Sequence, residues 1–423
     1  VFNSLSDLSF ATVVFSAAEA VLVTVAAVDE LSSLLPQPVI TLANDVASFT
    51  TLQLSTFVVI AFAILVLFTT LKQSTHSDVF PVSVTNELKG LGILTVVFAH
   101  FAYMKVTNAD FLFPLSIIAG VGVDLFLFMS GFGLTVGMLK RPMKTVDFYK
   151  KRVIKIFIPF WIALIIMFIA DALFMDKTYS VGYIIKSMLG FFPTADGFGD
   201  VNSPFWYITW MIMFYLLYPL VFFKDKPWLS AIILAVIATI IGTFNIFDLG
   251  SNWLHRLHTV AFSMGIILAW LLQVKEGEKN RFIEYIKDFR DNSKDMKYIV
   301  IAIMFVIVFY VSQRTGAGSW PALTAILGQG FFVEQLMSIV IMLAFTVIFI
   351  LKKVDSKFLT MYGVYSYEVY LIHWPLMAKY DIFFVYLPAW AAVIAWLVAF
   401  ILVSMLLQRL VTPVSNFVDK ITK

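Results

Sequence analysis

Long apolar runs of helical length, separated by short polar loops, dominate the chain. A bilayer core of ~30 Å requires roughly 20 mostly apolar residues per helix, so each such run indicates a membrane span. The pattern predicts twelve spans, at approximately 10–28, 52–71, 88–105, 115–139, 154–175, 205–223, 228–246, 257–273, 298–312, 333–351, 362–379 and 384–408. We therefore expect an all-α fold, a polytopic transmembrane helix bundle.

The distribution of basic residues divides the chain. Residues 1–71 contain no Lys or Arg, whereas basic residues recur regularly from residue 72 onward. This shift predicts an N-terminal appendage, 1–80, with one or two membrane segments, and a ten-helix core, 85–412, followed by a cytoplasmic C-terminal tail, 413–423. The first predicted span carries Glu19, so a helix on the membrane surface is the alternative there.

Composition agrees with a membrane protein. Hydrophobic residues make up 61% of the chain and charged residues 13%, against about 25% charged in soluble domains. The absence of Cys excludes thiol nucleophiles and thiolate metal sites. The net charge of +3 gives no reason to expect a nucleic-acid partner, because the basic residues cluster in short loops.

Those loops also predict an orientation. If the N-terminus is cytoplasmic and all twelve segments span, 24 of the 30 Lys and Arg residues lie on the cytoplasmic side. Cytoplasmic loops carry the excess of basic residues in membrane proteins. We therefore expect a multi-pass protein of the cell membrane with both termini in the cytoplasm. The loop 275–297, which mixes basic and acidic residues, is expected to form a solvated or interfacial helix.

Ionisable residues inside predicted spans indicate function, because a charge in lipid is costly. Lys89 and His100 share a span and lie ~16 Å apart along its axis, which places His100 in the outer half. The other spans contribute Asp124, His255, Arg256, His258, Glu368 and His373, most of them toward the outer side. Four helices thus bring proton-transfer side chains to the same half of the membrane.

Imidazole is the side chain best suited to moving a proton near neutral pH. Asp124 could orient His100 and stabilise its cation. Ser130 has no base near it in sequence, so a His-centred acid–base site is favoured over a nucleophilic Ser. A purely structural role is the alternative for the other histidines: His373 could pack at the membrane interface, and His255 and His258 could be solvated at the water boundary.

Two further patterns have a structural interpretation, and the first of them also has a functional one. The loop 140–155 is the densest basic run in the chain. Its charge is explained either by orientation of the protein in the membrane together with binding of anionic lipid, or by a phosphate-binding site at Arg152 and Lys155. The Gly120/Gly122 and Gly133/Gly137 spacings predict close helix packing and no chemistry.

Five segments, in order, resemble the motifs of the membrane-integral acyltransferase family 3, the O-acetyltransferase-like group that modifies surface polysaccharides. They run from Asn86 to Leu91 and on to His100, from Gly122 to Phe132, from Tyr149 to Pro159, from Ser203 to Ile208, and from Tyr367 to Leu376. The resemblance covers roughly 85–410. The family usually has Arg where Lys89 stands and often has Arg where Lys155 stands; Lys keeps the charge but loses the bidentate fork.

The resemblance implies an acyl-CoA-dependent membrane O-acyltransferase. Acyl-CoA, usually acetyl-CoA, would enter from the cytoplasm and place its phosphates on Lys89, Arg152 and Lys155. His100 would act as general base or as a transient acyl acceptor, and Asp124 would orient it. The candidate substrate-binding residues are Trp206, Tyr207, His255, Arg256, His258, Glu368 and His373.

The expected partners are a saccharide or glycolipid acceptor and membrane lipids, with a homo-oligomer as a further possibility, and no metal is expected. The alternative function is a transporter or flippase that uses the same polar residues as a substrate path. A requirement for acyl-CoA would distinguish the two.

Overall fold

The computed structural model describes residues 71–73, 78–103, 119–196, 199–244, 246, 253–273, 279–312, 330–352 and 354–422. The predicted segment 10–28, nearly all of segment 52–71, and with them most of the appendage 1–80, lie outside the described residues. Residues 71–73 form a short strand, and the carbonyl oxygen of Asp78 accepts a hydrogen bond from Arg290.

Helices account for most of the described chain. They are α1 Val82–Tyr103, α2 Ala119–Lys140, α3 Thr145–Arg152, α4 Ile158–Phe174, α5 Val181–Met188, α6 Trp206–Val221, α7 Pro227–Thr243, α8 Ala261–Leu271, α9 Arg281–Asn292, α10 Lys294–Ser312, α11 Gly330–Leu351, α12 Lys357–Val364, α13 Ser366–Ala378 and α14 Ala389–Thr422. A π-helix, Val153–Phe157, joins α3 to α4, and 3₁₀ turns, Ser203–Phe205 and Trp253–His258, precede α6 and α8. Strand β1, Leu71–Gln73, pairs antiparallel with β2, Val354–Ser356, with Leu71 opposite Ser356.

The all-α helix bundle is confirmed. Each of the ten predicted core spans contains a helix in its described residues, and seven helices there are long and apolar enough to cross a membrane. Two predicted boundaries differ from the structure. The segment 362–379 is divided between α12 and α13, and the last helix continues to Thr422 through most of the predicted tail 413–423.

Helix α2 lies at the centre of the packing, between α1 and α8. Glycine permits both close approaches, because a Cβ at Gly131 would overlap the carbonyl oxygen of Phe262, and one at Gly265 would overlap that of Phe128. Gly122 lies equally close to α1. The packing role predicted for Gly133 and Gly137 is wrong within the described part of the chain, where no atom lies within 4 Å of a Cβ built at either position.

A buried carboxylate near the end of α4 binds side chains from the end of α13 and from the loop that follows α4, and so joins these segments. Asp171 is 0% exposed and accepts a hydrogen bond from the Lys379 ammonium at 2.8 Å. The hydroxyl of Tyr179 donates to the same carboxylate at 2.5 Å, and that of Tyr380 donates as well. Burial, together with the adjacent carboxylate, raises the pKa of the Tyr179 phenol, so it remains a proton donor.

Replacement of Asp171 by Ala should destabilise the fold, because the buried Lys379 ammonium then loses its counter-charge. Removing one partner of a buried ion pair costs about 3–5 kcal/mol. Thermal melting in detergent would measure the effect. The double variant Asp171→Ala/Lys379→Met should lose less than the sum of the two single variants. Strict additivity would show that the ion pair contributes nothing to the fold.

Candidate active site

Two histidines from the first and the thirteenth helix form an imidazole pair. His100, on α1, places Nδ1 2.8 Å from Nε2 of His373, on α13, with the rings nearly parallel at 7°. His373 is 0% exposed, whereas His100 is partly exposed. The ring of Trp374 meets His100 edge to face at a centroid distance of 4.9 Å.

The surroundings of His373 determine which nitrogen carries a proton. Its Nδ1 lies 3.0 Å from the carbonyl oxygen of Val369 and 2.9 Å from that of Tyr370. A carbonyl oxygen only accepts hydrogen bonds, so Nδ1 of His373 is protonated and, in the neutral ring, Nε2 is the acceptor. His100 must therefore donate through Nδ1–H, which leaves its Nε2 as an unprotonated base.

Asp124 pairs with a different histidine from the one predicted. Its Oδ1 accepts a hydrogen bond from Nδ1 of His258 at 2.7 Å, and its Oδ2 accepts one from the Ser338 hydroxyl. Asp124 is 1% exposed and His258 2%. The prediction that Asp124 orients His100 is therefore wrong, because the imidazole it holds belongs to the turn before α8.

The two histidines expected at the water boundary are buried. His255 is 0% exposed, and its Nε2 lies 3.2 Å from the carbonyl oxygen of Trp206. The indole of Trp206 stacks on His258 at a centroid distance of 5.7 Å and an interplanar angle of 22°. Solvation of His255 and His258 is thus contradicted, since the 3₁₀ turn packs beneath the aromatic start of α6. Arg256 donates from Nε to the carbonyl oxygen of Gly242 at 3.0 Å.

The three residues predicted to bind phosphate lie together and form what we call the basic cluster. Lys155 is near enough to Lys89 and to Arg152 for their positive charges to repel. In the described part of the chain none of the three forms an ion pair, and Nε of Arg152 is buried without an acceptor. An uncompensated group of cations of this kind favours an anionic ligand.

The local backbone around the basic cluster is irregular. Lys155 lies in the π-helix, in which backbone hydrogen bonds span five residues instead of the four of an α-helix. Such segments occur frequently at functional sites. The hydroxyl of Tyr367 donates to the carbonyl oxygen of Ile156 in that segment at 2.9 Å. The π-helix therefore connects the basic cluster to α13, which also carries His373.

Four tyrosines, which we call the tyrosine column, lie between the basic cluster and the histidines; they are Tyr215, Tyr367, Tyr207 and Tyr370. The guanidinium carbon of Arg152 lies 5.9 Å from the ring centroid of Tyr215. Tyr207 is close enough to Tyr215, Tyr367 and Asp124 for electrostatic interaction. The ring of Tyr370 is 5.4 Å from that of Tyr207 and 6.1 Å from that of His373. These contacts place the tyrosine rings in series from Arg152 to His373, with Asp124 close to Tyr207.

The loop before α6 is held against α13 beside His373. The amide of Asn202 donates to the carbonyl oxygen of Leu371 at 2.9 Å, and the Tyr370 hydroxyl donates to that of Pro204. These bonds fix the position at which Trp206 and Tyr207 enter the site. Glu368 is buried on α13 next to Tyr367.

Sequence reasoning missed several polar residues of this region. Ser338 reaches Asp124, and Gln335, one turn earlier on α11, donates to the Thr259 hydroxyl at 2.8 Å. Asp171 also escaped notice, although a lone carboxylate in the apolar helix α4 was a usable signal. Ser and Gln are not ionisable, so the search for charged or titratable side chains within the spans could not find them. In the described residues no group of three His, Asp or Glu could hold a metal ion.

Comparison with known proteins identifies the family. Residues 86–409 match the acyltransferase domain of acyltransferase family 3. No curated protein and no solved structure matches the chain. The matched region covers more than half of the chain and contains the basic cluster, the tyrosine column, the His100–His373 pair and the Asp124–His258 pair. With seven long apolar helices in its described residues, this chain is a membrane protein that belongs to acyltransferase family 3.

Proposed function

We propose that the protein transfers an acyl group, acetyl by preference, from cytoplasmic acyl-CoA to a hydroxyl of an extracytoplasmic or lipid-linked saccharide. The observation that carries the proposal is the polarity of the site. Three cations that have no acidic partner among the described residues lie at one end, and the His100–His373 and Asp124–His258 pairs lie at the other. The cations suit the phosphates of CoA, and the imidazoles suit proton transfer to and from the reacting groups.

The chemistry follows from the protonation of the imidazole pair. Nε2 of His100 takes the proton of the acceptor hydroxyl while that oxygen attacks the thioester carbonyl carbon. The new C–O bond forms, the C–S bond breaks, and the sulfur leaves with one proton as free CoA. His373 positions His100, because its Nδ1–H is fixed by the carbonyl groups of Val369 and Tyr370. The tyrosine column provides a polar path for the pantetheine arm between the phosphates and the thioester.

Thiol release tests this function directly. The purified protein in nanodiscs would receive acetyl-CoA and a membrane extract as the source of acceptor, and free CoA would be followed. We expect thiol release that depends on both additions, with label from the acetyl group appearing in the saccharide fraction. If the protein neither binds acetyl-CoA nor turns it over, the proposal is contradicted and the transporter or flippase alternative is favoured.

Replacement of Arg152 by Gln should raise the KM for acetyl-CoA. A hydrogen bond to a charged group contributes about 1.5–3 kcal/mol, and about 1.4 kcal/mol corresponds to a tenfold change, so we expect a rise of about 10- to 100-fold. Acetyl-pantetheine, which lacks the nucleotide phosphates, should be used equally well by the variant and the wild type. The exposed Arg141 lies in the same loop, and Arg141→Gln is the control that should leave KM unchanged. An equal rise in KM for both donors would show that Arg152 does not bind the phosphates of CoA.

A further inference from the structure

The pair formed by Asp124 and His258 is a second acid–base unit that the reaction as described above does not use. Both carboxylate oxygens of Asp124 are occupied, Oδ1 by Nδ1 of His258 and Oδ2 by the hydroxyl of Ser338. An ionised carboxylate only accepts, so Nδ1 of His258 carries a proton in this arrangement. The Nε2 atom of His258 has no hydrogen-bond partner among the described residues and is the reactive position of the ring.

The buried ring of His258 is held between Trp206 and α2. Trp206 stacks on its face, Asp124 of α2 binds its Nδ1, and Gly120 of the same helix lies beside its Cε1 atom. A Cβ built at Gly120 would lie 3.6 Å from Cε1 of His258. That separation is ordinary van der Waals contact, so the glycine keeps α2 from pressing on the ring.

The two imidazoles differ in how they can carry charge. The partner of His100 is the neutral ring of His373, and no carboxylate contacts His100 among the described residues. His258, by contrast, touches the carboxylate of Asp124 directly, which balances the charge of a doubly protonated ring. A pair of titratable groups in such different environments is the arrangement that separates an acid from a base.

We propose that His258 is the general acid that protonates the departing sulfur, with Asp124 as its positioning residue and His100 as the base. This inference rests on the proposed function. The acceptor hydroxyl gives its proton to Nε2 of His100, its oxygen bonds to the acyl carbon, and the C–S bond breaks. The sulfur takes a proton from Nε2 of His258. Water then carries one proton from His100 to His258, which resets both rings.

Donors that differ in their leaving group test this assignment. An alkyl thiolate such as CoA needs a proton to leave easily, whereas an acidic aryl thiolate does not. For His258→Gln we expect kcat with acetyl-CoA to fall by about 10²-fold, the usual contribution of general acid catalysis, but by less than about 10-fold with an acetyl aryl thioester. Asp124→Asn should shift the ratio of the two rates in the same direction. His100→Gln should lose activity with both donors.

The ratio of the two rates within one preparation does not depend on how much of the protein is folded. An equal loss with both donors, or no loss with either, would overturn the assignment of His258 while leaving acyl transfer intact. Failure of the proposed function would look different, because the wild type would then release thiol from neither acetyl-CoA nor the aryl thioester in the presence of acceptor.

Discussion

Replacement of His100 by Gln should reduce kcat for thiol release by about 10²- to 10⁴-fold, the range that a general base contributes. Glutamine keeps a polar side chain of similar length but has no nitrogen lone pair to accept the hydroxyl proton. The basic cluster is untouched in this variant, so the dissociation constant for CoA should stay at the wild-type value. Steady-state kinetics and a direct binding measurement would be made on the same preparation.

His373 gives a graded comparison for the same prediction. His373→Gln retains a side-chain oxygen that can accept from Nδ1–H of His100, so its loss of kcat should be smaller than that of His100→Gln. The orientation of the amide is no longer fixed by the Val369 and Tyr370 carbonyl groups. Equal activity of His100→Gln and the wild type would exclude His100 as the base.

Replacement of Gly265 by Leu should prevent correct assembly of the bundle. A side chain at this position would meet the carbonyl oxygen of Phe128 and the amide nitrogen of Phe132, which are backbone atoms that cannot move aside. Overpacking of a core by extra methylenes costs typically about 1–3 kcal/mol, and a clash with backbone costs more. Separation of α2 from α8 also pulls Asp124 away from the turn that carries His258.

Fluorescence-detected size-exclusion chromatography would measure the fraction of monodisperse protein, and thermal melting in detergent would measure its stability. Gly133→Leu is the matched control, because Gly133 lies on the same helix α2, is exposed, and has nothing within 4 Å of its Cβ position. The control should express and melt like the wild type. Similar behaviour of the two variants would show that helix propensity rather than close packing is responsible.

The helical segments were predictable because a membrane imposes one solution on each of them. A backbone surrounded by lipid must satisfy its hydrogen bonds within the segment, so an apolar run of sufficient length becomes a helix whatever its neighbours are. The ends were less predictable. Helix α14 continues to Thr422 through polar residues, and the predicted span 362–379 is divided, because polar ends and interruptions depend on what packs around them.

The candidate site was predictable in its members but not in its pairing. His100 and Asp124 were recognisable because burial of an ionisable group in lipid is costly. Their partners lie 273 and 134 residues away along the chain, at His373 and His258. Position near the end of a span suggested solvation for His258, whereas the turn that carries it lies under Trp206 and is buried.

The sequence by itself determined that this is an all-α membrane protein with the motifs of its family, and it supplied the candidate residues for chemistry. Each of these properties is local, because it depends on the composition of one segment and on the cost of charge within it. Only the tertiary structure decided that Asp124 belongs to His258, that the carbonyl groups of α13 set the proton on His373 and so leave His100 as a base, and that glycines 131 and 265 rather than 133 and 137 bring helices together. These properties depend on which helix faces meet, and hydropathy does not encode the rotation of one helix against another.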